Sequence, residues 1–445
     1  MDENELEAVV ARARSAGADA AEAVFGERRS LSVTVRKGAL EELEREEARD
    51  LGIRVFIGRR QASVSASDLT ADGQARLIER VVAMARLAPE DPYAGLAPAE
   101  RLAPIGDGSS KLELFDPTEM DAPDLEQRAT QAEAAALAVA GVTNSGGASA
   151  TWAASKWSMC TSGGFRGRHQ ASGFSLSAQA IAGEGAAMEQ GSESRAARWL
   201  EDLPEPARIG VEAGDRAVAA LGARKISSTT APVIIENRIA ASLLSALVGA
   251  VSGPAVARGV SFLKDKLGKP VFAAGVTITD DPHRPRGLGS APFDDEGVAN
   301  RAMSIIEDGV LTSWLLNSSS ARQLRLETTG HASRALASPP GVGPSNLTLM
   351  PGDRDLGALM ADAGDGVLVS SMFGPSLNAN TGDWSVGCQG FWFERGQLAY
   401  PLTEITIAGN LRDIYARLVP GSDLEFRRAV NAPSILIDAL AIAGR

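Results

Sequence analysis

The chain has 445 residues, with 44 Lys and Arg against 56 Asp and Glu, and a formal net charge of -12. This length predicts more than one domain, because single hydrophobic cores stop growing near roughly 250 to 300 residues. The acidic balance argues against direct nucleic-acid binding, which depends on clustered Lys and Arg, and two cysteines provide no disulfide framework, as is typical of the reducing cytoplasm.

The first residues, MDENELEAVVARA, are acidic where a secretory signal would be basic, so they predict the start of an amphipathic helix. The longest charge-free run, Ile239 to Ala257, approaches the ~20 residues that span a bilayer. Serines dilute this run and Gly253-Pro254 interrupts it. We therefore expect a cytoplasmic protein without a membrane segment.

The N-terminal part of the chain predicts two helices around a set of strands. Helical periodicity covers Asn4 to Ala16, and alternating apolar residues predict a half-buried strand at Ser30 to Lys37. The charged stretch Glu41 to Asp50 predicts a solvated strand or hairpin arm. A second helix begins after its cap, Thr70, and extends to about Leu87.

The middle of the chain predicts two long strands between two helices. The helices are expected at Asp121 to Ala140 and at Glu201 to Leu221, and the strands at Ala148 to Cys160 and Phe165 to Ala182. The tripeptide SGG separates the two strands, so we expect them to form a hairpin.

The last part begins with a short buried strand, Ala231 to Glu236, that leads into a core helix at Arg238 to Val251. From Val271 onward, apolar runs alternate with turns that contain Asp-Gly or Arg-Gly. Such repetition predicts antiparallel sheet that is curved or barrel-like.

The fold class predicted from these elements is α+β, with a β-rich N-terminal module that carries helices and a C-terminal domain of curved antiparallel sheet. The predicted units are an N-terminal α+β module at 1–100, a central helix-flanked hairpin region at 107–221, and a C-terminal antiparallel β-rich domain at 227–445.

Four segments of the last unit carry a family resemblance. They are RGLGSAPFDDEGVANR (Arg286 to Arg301), LETTGHASR (Leu326 to Arg334), PPGVGPSNLTLMPG (Pro339 to Gly352) and NANTGDWSVGCQGFWFERGQ (Asn378 to Gln397). On the basis of these four segments, the chain resembles the TldD/PmbA family. The resemblance is to the PmbA (TldE) branch more than to the TldD branch. The family is linked to metalloprotease activity in peptide maturation, to antitoxin degradation and, by an older name, to modulation of DNA gyrase.

The resemblance also implies where a zinc site would lie. In the TldD branch a helix carries His-Glu-x-x-x-His, whose side chains suit zinc. Aligned on the shared block Gly259 to Phe262, the matching residues of this chain are LSALVG, from Leu244 to Gly249. None of them is a usual zinc ligand, so the resemblance implies zinc in a TldD-type partner and none in this chain.

Residue chemistry alone also predicts no metal site, no cofactor and no catalytic residue in this chain. Catalytic zinc needs three ligands drawn from His, Cys, Asp and Glu. The three histidines, His169, His283 and His331, are far apart in sequence, and Cys160 and Cys388 form no C-x-x-C pair. The alternative is a set of ligands that converge only in space.

The acidic triplet Asp294, Asp295 and Glu296 is the first candidate for a peptide-binding groove. It could bind a cation or position a substrate amine, and the favoured interpretation is a solvated turn with an Asx cap. His331 is the second candidate. It could act as a general base beside a hydroxyl nucleophile, and the favoured interpretation is a hydrogen-bonded structural histidine.

The turn-rich cluster with Asn378, Asn380 and Asp383 completes the groove candidates. Such side chains either bond the nearby backbone, which is the favoured interpretation, or bind a ligand. His283 is expected in an exposed loop, and Cys388 as a small buried residue. The glycine-rich segments at 286–290 and 339–346 lack a phosphate-loop signature, so we interpret them as loops that line an interface or groove.

The predicted function is that of a PmbA/TldE-type subunit of a metalloprotease system that acts on unfolded peptides. The expected partners are a TldD-type subunit or a second copy of the chain, and a strand edge could hold an extended peptide. Two alternatives remain: an autonomous peptidase with an unrecognised site, and a non-proteolytic modulator of another enzyme such as DNA gyrase.

Overall fold

The computed structural model describes residues 1–104 and 111–444. The predicted unit boundary at residue 107 and the last residue, 445, lie outside these ranges. No helix in the described ranges is long and apolar enough to cross a membrane.

The first half of the chain forms a six-stranded antiparallel sheet with the strand order β3-β2-β1-β4-β5-β6. Its strands are β1 (Ala20–Arg36), β2 (Ala39–Ile57), β3 (Arg60–Ala66), β4 (Val142–Thr161), β5 (Arg166–Ala182) and β6 (Glu189–Ala197). The sheet joins strands of the first two predicted units through the β1–β4 pairing.

Four helices pack on one face of this sheet: α1 (Glu3–Ser15), α2 (Ala71–Leu87), α3 (Ala122–Leu137) and α4 (Pro206–Ala219). Polar caps fix where the first three begin, as the Thr70 hydroxyl accepts the Gly73 N–H before α2. The apolar sides of α1 and α2 share a core with β1 to β3, and α3 and α4 share another with β1, β4 and β5.

Successive side chains of a strand point to opposite faces of the sheet, so the face away from the helices carries a different set of residues. On β1, Ala23 and Phe25 point to the helices, whereas Glu22 and Val24 point away from them. Val24 packs with Phe293 of the C-terminal part. The C-terminal domain therefore covers the part of the second face that lies around Glu22 and Val24.

The C-terminal domain is built mainly of strands. They are β7 (Thr229–Ile235), β8 (Ile278–Asp280), β9 (Met303–Glu307), β10 (Val310–Leu311), β11 (Ala332–Ser333), β12 (Gly341–Val342), β13 (Leu347–Leu349), β14 (Gly366–Leu377), β15 (Asp383–Glu394), β16 (Gln397–Asn410), β17 (Val419–Pro420), β18 (Val430–Asn431) and β19 (Ile435–Ala443).

Five of these strands close into a barrel in the order β16-β15-β14-β7-β19, because β16 also pairs with β19. All neighbours in the barrel are antiparallel except β14 and β7, which run parallel. A smaller five-stranded sheet has the order β10-β9-β8-β13-β18. The predicted α+β class and the curved C-terminal sheet are confirmed.

Five further helices belong to this domain: α5 (Asn237–Val251), α6 (Gly253–Ala257), α7 (Ser318–Leu324), α8 (Leu356–Ala363) and α9 (Leu411–Arg417). The apolar side of α5 packs into the main core of the domain together with barrel strands. Tyr415 is buried there, and its hydroxyl donates to the Leu243 carbonyl over 3.0 Å.

Most of the predicted helices and strands are present, but several begin or end at other residues than predicted. The strand predicted from Ser30 begins at Ala20, and the helix predicted from Glu201 begins only at Pro206. Two prolines, Pro204 and Pro206, explain the second difference, because proline fits the first turn of a helix and not its interior. The domain boundaries themselves stay a prediction.

Candidate functional site

The acidic triplet lies in a buried turn, so the expectation that it is solvated is wrong. Asp294 Oδ1 accepts the N–H groups of Glu296 and Val298, both over 2.9 Å, which is the expected Asx-type cap. Its Oδ2 accepts the N–H of Ala332 over 3.0 Å. Burial and the negative charge of Glu296 raise the pKa of Asp294 well above its usual value.

The other two acidic residues hold neighbouring segments in place. Asp295 Oδ2 accepts the Arg334 N–H, and Glu296 Oε2 accepts the Ser318 N–H, both over 2.8 Å. Burial raises the pKa of Asp295 to about 6, although the Arg334 N–H and guanidinium act in the opposite direction.

We expect the wild type to lose about 1 kcal/mol more stability between pH 5 and pH 7 than the variant Asp295→Asn. The pKa of Asp295 rises from 3.8 to about 6 on folding. A raised carboxyl pKa contributes stability below its unfolded value, and this contribution is lost as the pH rises through the folded value. Urea unfolding of both proteins at the two pH values measures the difference, and parallel pH profiles would contradict it.

His331 is buried and bridges two partners. Its Nε2 lies 3.0 Å from Asp280 Oδ2, and its Nδ1 lies 2.8 Å from Thr329 Oγ1. The same Thr329 oxygen accepts the Leu316 N–H over 2.8 Å. The acid, imidazole and hydroxyl thus meet in space, but the hydroxyl, that of Thr329, is already bonded to the backbone.

Sequence reasoning missed a buried ionic cluster beside the triplet. Glu22 of β1 and Arg54 of β2 face each other across the hairpin, with Arg54 Nε 3.3 Å from Glu22 Oε1. The same oxygen pairs with Arg334 of the C-terminal domain. All three side chains are at most 3% exposed, so one carboxylate serves two buried guanidinium groups and joins the two parts of the molecule.

A cavity of about 260 Å³ opens next to this cluster, between the N-terminal sheet and the C-terminal domain. Arg54 and Glu296 line it, together with Arg258 from the end of α6 and Pro339-Pro340. The segment 339–346 was predicted to line an interface or groove, and its first two residues do so.

The polar turn with Asn378, Asn380 and Asp383 lies at the exposed end of the β14–β15 hairpin. Asn378 Oδ1 accepts the Asn380 N–H over 3.0 Å, and Asp383 Oδ1 accepts from the Asn410 side chain over 2.9 Å. These bonds lie within the turn and its neighbour. Hydrogen bonds and ion pairs among the described residues connect it neither to the triplet nor to His331.

The remaining singled-out residues are placed as predicted. His283 is exposed and bonds the Asn300 side chain over 2.8 Å. Cys388 is fully buried, and burial raises the pKa of its thiol to about 12. A thiol in this state is a poor nucleophile. The assignment of Asp294, Asp295, Glu296, His331, Asn378, Asn380 and Asp383 to a peptide groove stays a prediction.

Helix α5 carries the segment LSALVG. Leu244 and Leu247 are buried in the main core of the C-terminal domain, whereas Ser245 and Gly249 are exposed. Within residues 1–104 and 111–444, no three His, Cys, Asp or Glu side chains are placed to hold a metal ion.

Three family models match the chain in order. They are those of PmbA/TldA metallopeptidase domain 1 at residues 21–85, the central domain at 115–221 and the C-terminal domain at 228–444. The chain belongs to the PmbA/TldD metallopeptidase family. The resemblance found in the sequence, including the PmbA branch, is confirmed.

Two curated relatives of this PmbA-family chain match it over nearly their whole length. The metalloprotease PmbA of Escherichia coli O157:H7 is 36% identical, over 97% of this chain and 94% of the relative. A metalloprotease PmbA homolog of Haemophilus influenzae is 34% identical, over 93% and 90%.

Solved structures match the same PmbA-family fold. A proposed modulator of DNA gyrase from Bacteroides thetaiotaomicron has a TM-score of 0.91 at 26% identity, with all of both chains covered. TldE of Thermococcus kodakarensis has a TM-score of 0.86 at 20% identity, over 98% of this chain and 99% of TldE. The second likeness shows the fold alone.

Proposed function

We propose that this chain is a PmbA/TldE-type accessory subunit of a two-component metalloprotease that cleaves unfolded peptides. In this proposal a TldD-type partner holds the zinc and performs hydrolysis. The chain itself completes the assembly and helps to hold the peptide.

Helix α5 is the observation that carries this proposal. At the position where the TldD branch has its zinc-binding helix, Leu244 and Leu247 pack into the core and Ser245 offers only a hydroxyl, which donates to the Ala241 carbonyl over 3.2 Å. Zinc binding would require His, Cys or carboxylate ligands at such positions. An apolar side of α5 suits a subunit that supports catalysis without holding the metal.

One of the two edges of the first sheet, that of β6, supports a peptide-holding role. The strand order ends at β6, so one side of β6 has no strand partner among the described residues. A groove of about 500 Å³ lies between β6 and the C-terminal domain, and Arg216, Arg238 and Phe391 line it. An extended peptide could add to this edge through main-chain hydrogen bonds, which carry little sequence preference. None of the seven predicted groove residues lines this groove.

We expect an unfolded test protein to be cleaved when this chain is mixed with a TldD-type partner and zinc, and not by this chain alone with zinc. The partner alone should be slower than the mixture. Quantified gel or fluorescence assays of the three samples measure this. Cleavage by the isolated chain, or no gain over the partner alone, would contradict the accessory role.

Two other functions would give different results. The relatives named metalloproteases favour an autonomous peptidase, which would bind zinc tightly and lose activity with a chelator. The structure described as a modulator of DNA gyrase favours a non-proteolytic binding protein. That protein would form a stable complex with the enzyme it modulates and would leave peptide turnover unchanged.

A further inference from the structure

The cavity beside the buried ionic cluster has walls from both parts of the molecule. Arg54, Gln61 and Gly95 come from the N-terminal part, and Arg258, Glu296 and Gln323 from the C-terminal domain. With a volume of about 260 Å³, the cavity is slightly below the ordinary range of ligand pockets, and it suits a small molecule or the end of a chain.

Two guanidinium groups and one carboxylate line this cavity. Arg54 is 3% exposed, and its counter-ion, Glu22, is shared with Arg334. Arg54 Nε lies 3.3 Å from Glu22 Oε1 without hydrogen-bond geometry, and Arg54 Nη2 donates to the Gly95 carbonyl over 3.3 Å. Arg258 is exposed at the end of α6 and forms no ion pair with another described residue. The lining therefore carries one excess positive charge.

Glu296 adds an acceptor to this positive lining. One of its oxygens receives the Ser318 N–H, and its side chain is buried against the cavity. A simple anion placed there would be repelled by Glu296. A ligand that has an N–H group next to its carboxylate would satisfy both the guanidinium groups and Glu296.

We propose that this cavity binds the α-carboxylate of an amino acid unit, with Arg54 and Arg258 facing the carboxylate and Glu296 accepting from the adjacent N–H. The guanidinium group suits this ligand because its planar donors match the two carboxylate oxygens. The source is either a free amino acid or the C-terminal residue of a short peptide, since both present the same N–H, Cα and carboxylate.

Such a ligand would hold the two parts of the molecule together. Arg54 belongs to the N-terminal part and Glu296 to the C-terminal domain, so a molecule bound by both adds contacts across the junction. Binding only to the folded protein raises its stability by mass action. The proposal is independent of the accessory-subunit role, because it concerns this chain alone and involves no cleavage.

The test is calorimetric titration and thermal unfolding of the isolated full-length chain with three probes: acetylated dialanine with a free carboxylate, the same dipeptide with a C-terminal amide, and free alanine. We expect the acid to bind and to raise Tm, and the amide to bind about tenfold more weakly or worse. Binding of alanine without the peptide acid would identify free amino acids as the source, and binding of the peptide acid alone would identify peptide C-termini. Binding of both would show that the site accepts either source.

Variants locate the site. Arg258→Ala should weaken binding of the acid about tenfold, whereas Arg80→Ala, an exposed change on α2, should leave it unchanged. Both replaced side chains are exposed, so the variants should fold. Equal binding of acid and amide, no binding of either the peptide acid or alanine, or unchanged binding in Arg258→Ala would overturn the proposal.

Discussion

Replacing Glu22 by Gln should lower the free energy of unfolding by about 3–5 kcal/mol. The Glu22 carboxylate is the shared partner of Arg54 and Arg334, and its side chain is 2% exposed. Glutamine keeps the shape and removes the charge, so two guanidinium groups would stay buried without their counter-ion. Removing one member of a buried ion pair costs more than the pair itself contributes.

Glu46→Gln is the matched control for Glu22→Gln. Glu46 lies on β2 of the same hairpin and pairs with Arg28 over 3.7 Å, but its side chain is 57% exposed. Exposed pairs contribute little, so this variant should unfold almost like the wild type. Denaturant unfolding of the three proteins makes the comparison. A similar, small loss in both variants would show that Glu22 is not the charge that joins the sheet to the C-terminal domain.

The Glu22–Arg54 pair of the cluster has a local signal in the sequence, but its register does not. Glu22 and Arg54 each interrupt an apolar run, AAEAVF and LGIRVFI, yet a two-residue turn at Lys37-Gly38 alone would place Glu22 opposite Ile53. A β-bulge between Thr34 and Val35 shifts the register by one residue and brings Glu22 opposite Arg54. Opposite charges at facing positions of two buried strands predict a cross-strand pair. Arg334 gives no such local signal, because its partner lies 312 residues away in the sequence.

The difference between local and distant contacts also explains which of the other sequence predictions were right and which were wrong. Thr70 marks the start of α2, because a cap acts on its own helix three residues away. The triplet at Asp294 was expected in solvent, because three consecutive acids are polar on any local scale. Its burial involves distant segments: Asp294 accepts the Ala332 N–H, and the neighbouring Phe293 belongs to one apolar cluster with Val24 of the N-terminal sheet. Local sequence patterns therefore predicted the helices and strands. The candidate site was not predicted in the same way, because it depends on contacts between segments that are distant in the sequence.

The two interpretations of His331 predict different results for two variants. If His331 is a structural bridge, His331→Leu should cost about 3–5 kcal/mol, because the fully buried Asp280 carboxylate would lose its imidazole partner. Thr329→Val keeps the Asp280–His331 contact and leaves the Leu316 N–H without an acceptor, which should cost about 1–3 kcal/mol.

A cleavage assay of the assembled protease then distinguishes a structural role of His331 and Thr329 from a catalytic role. A structural bridge predicts that Thr329→Val, once folded, supports the same cleavage as the wild type, because its hydroxyl serves only the backbone and His331. A catalytic triad would instead lose cleavage in Thr329→Val while the protein remained folded, since the nucleophilic oxygen would be gone. We expect the first result, because His331 is buried and neither it nor Thr329 lines the cavity beside Glu296 or the groove beside β6.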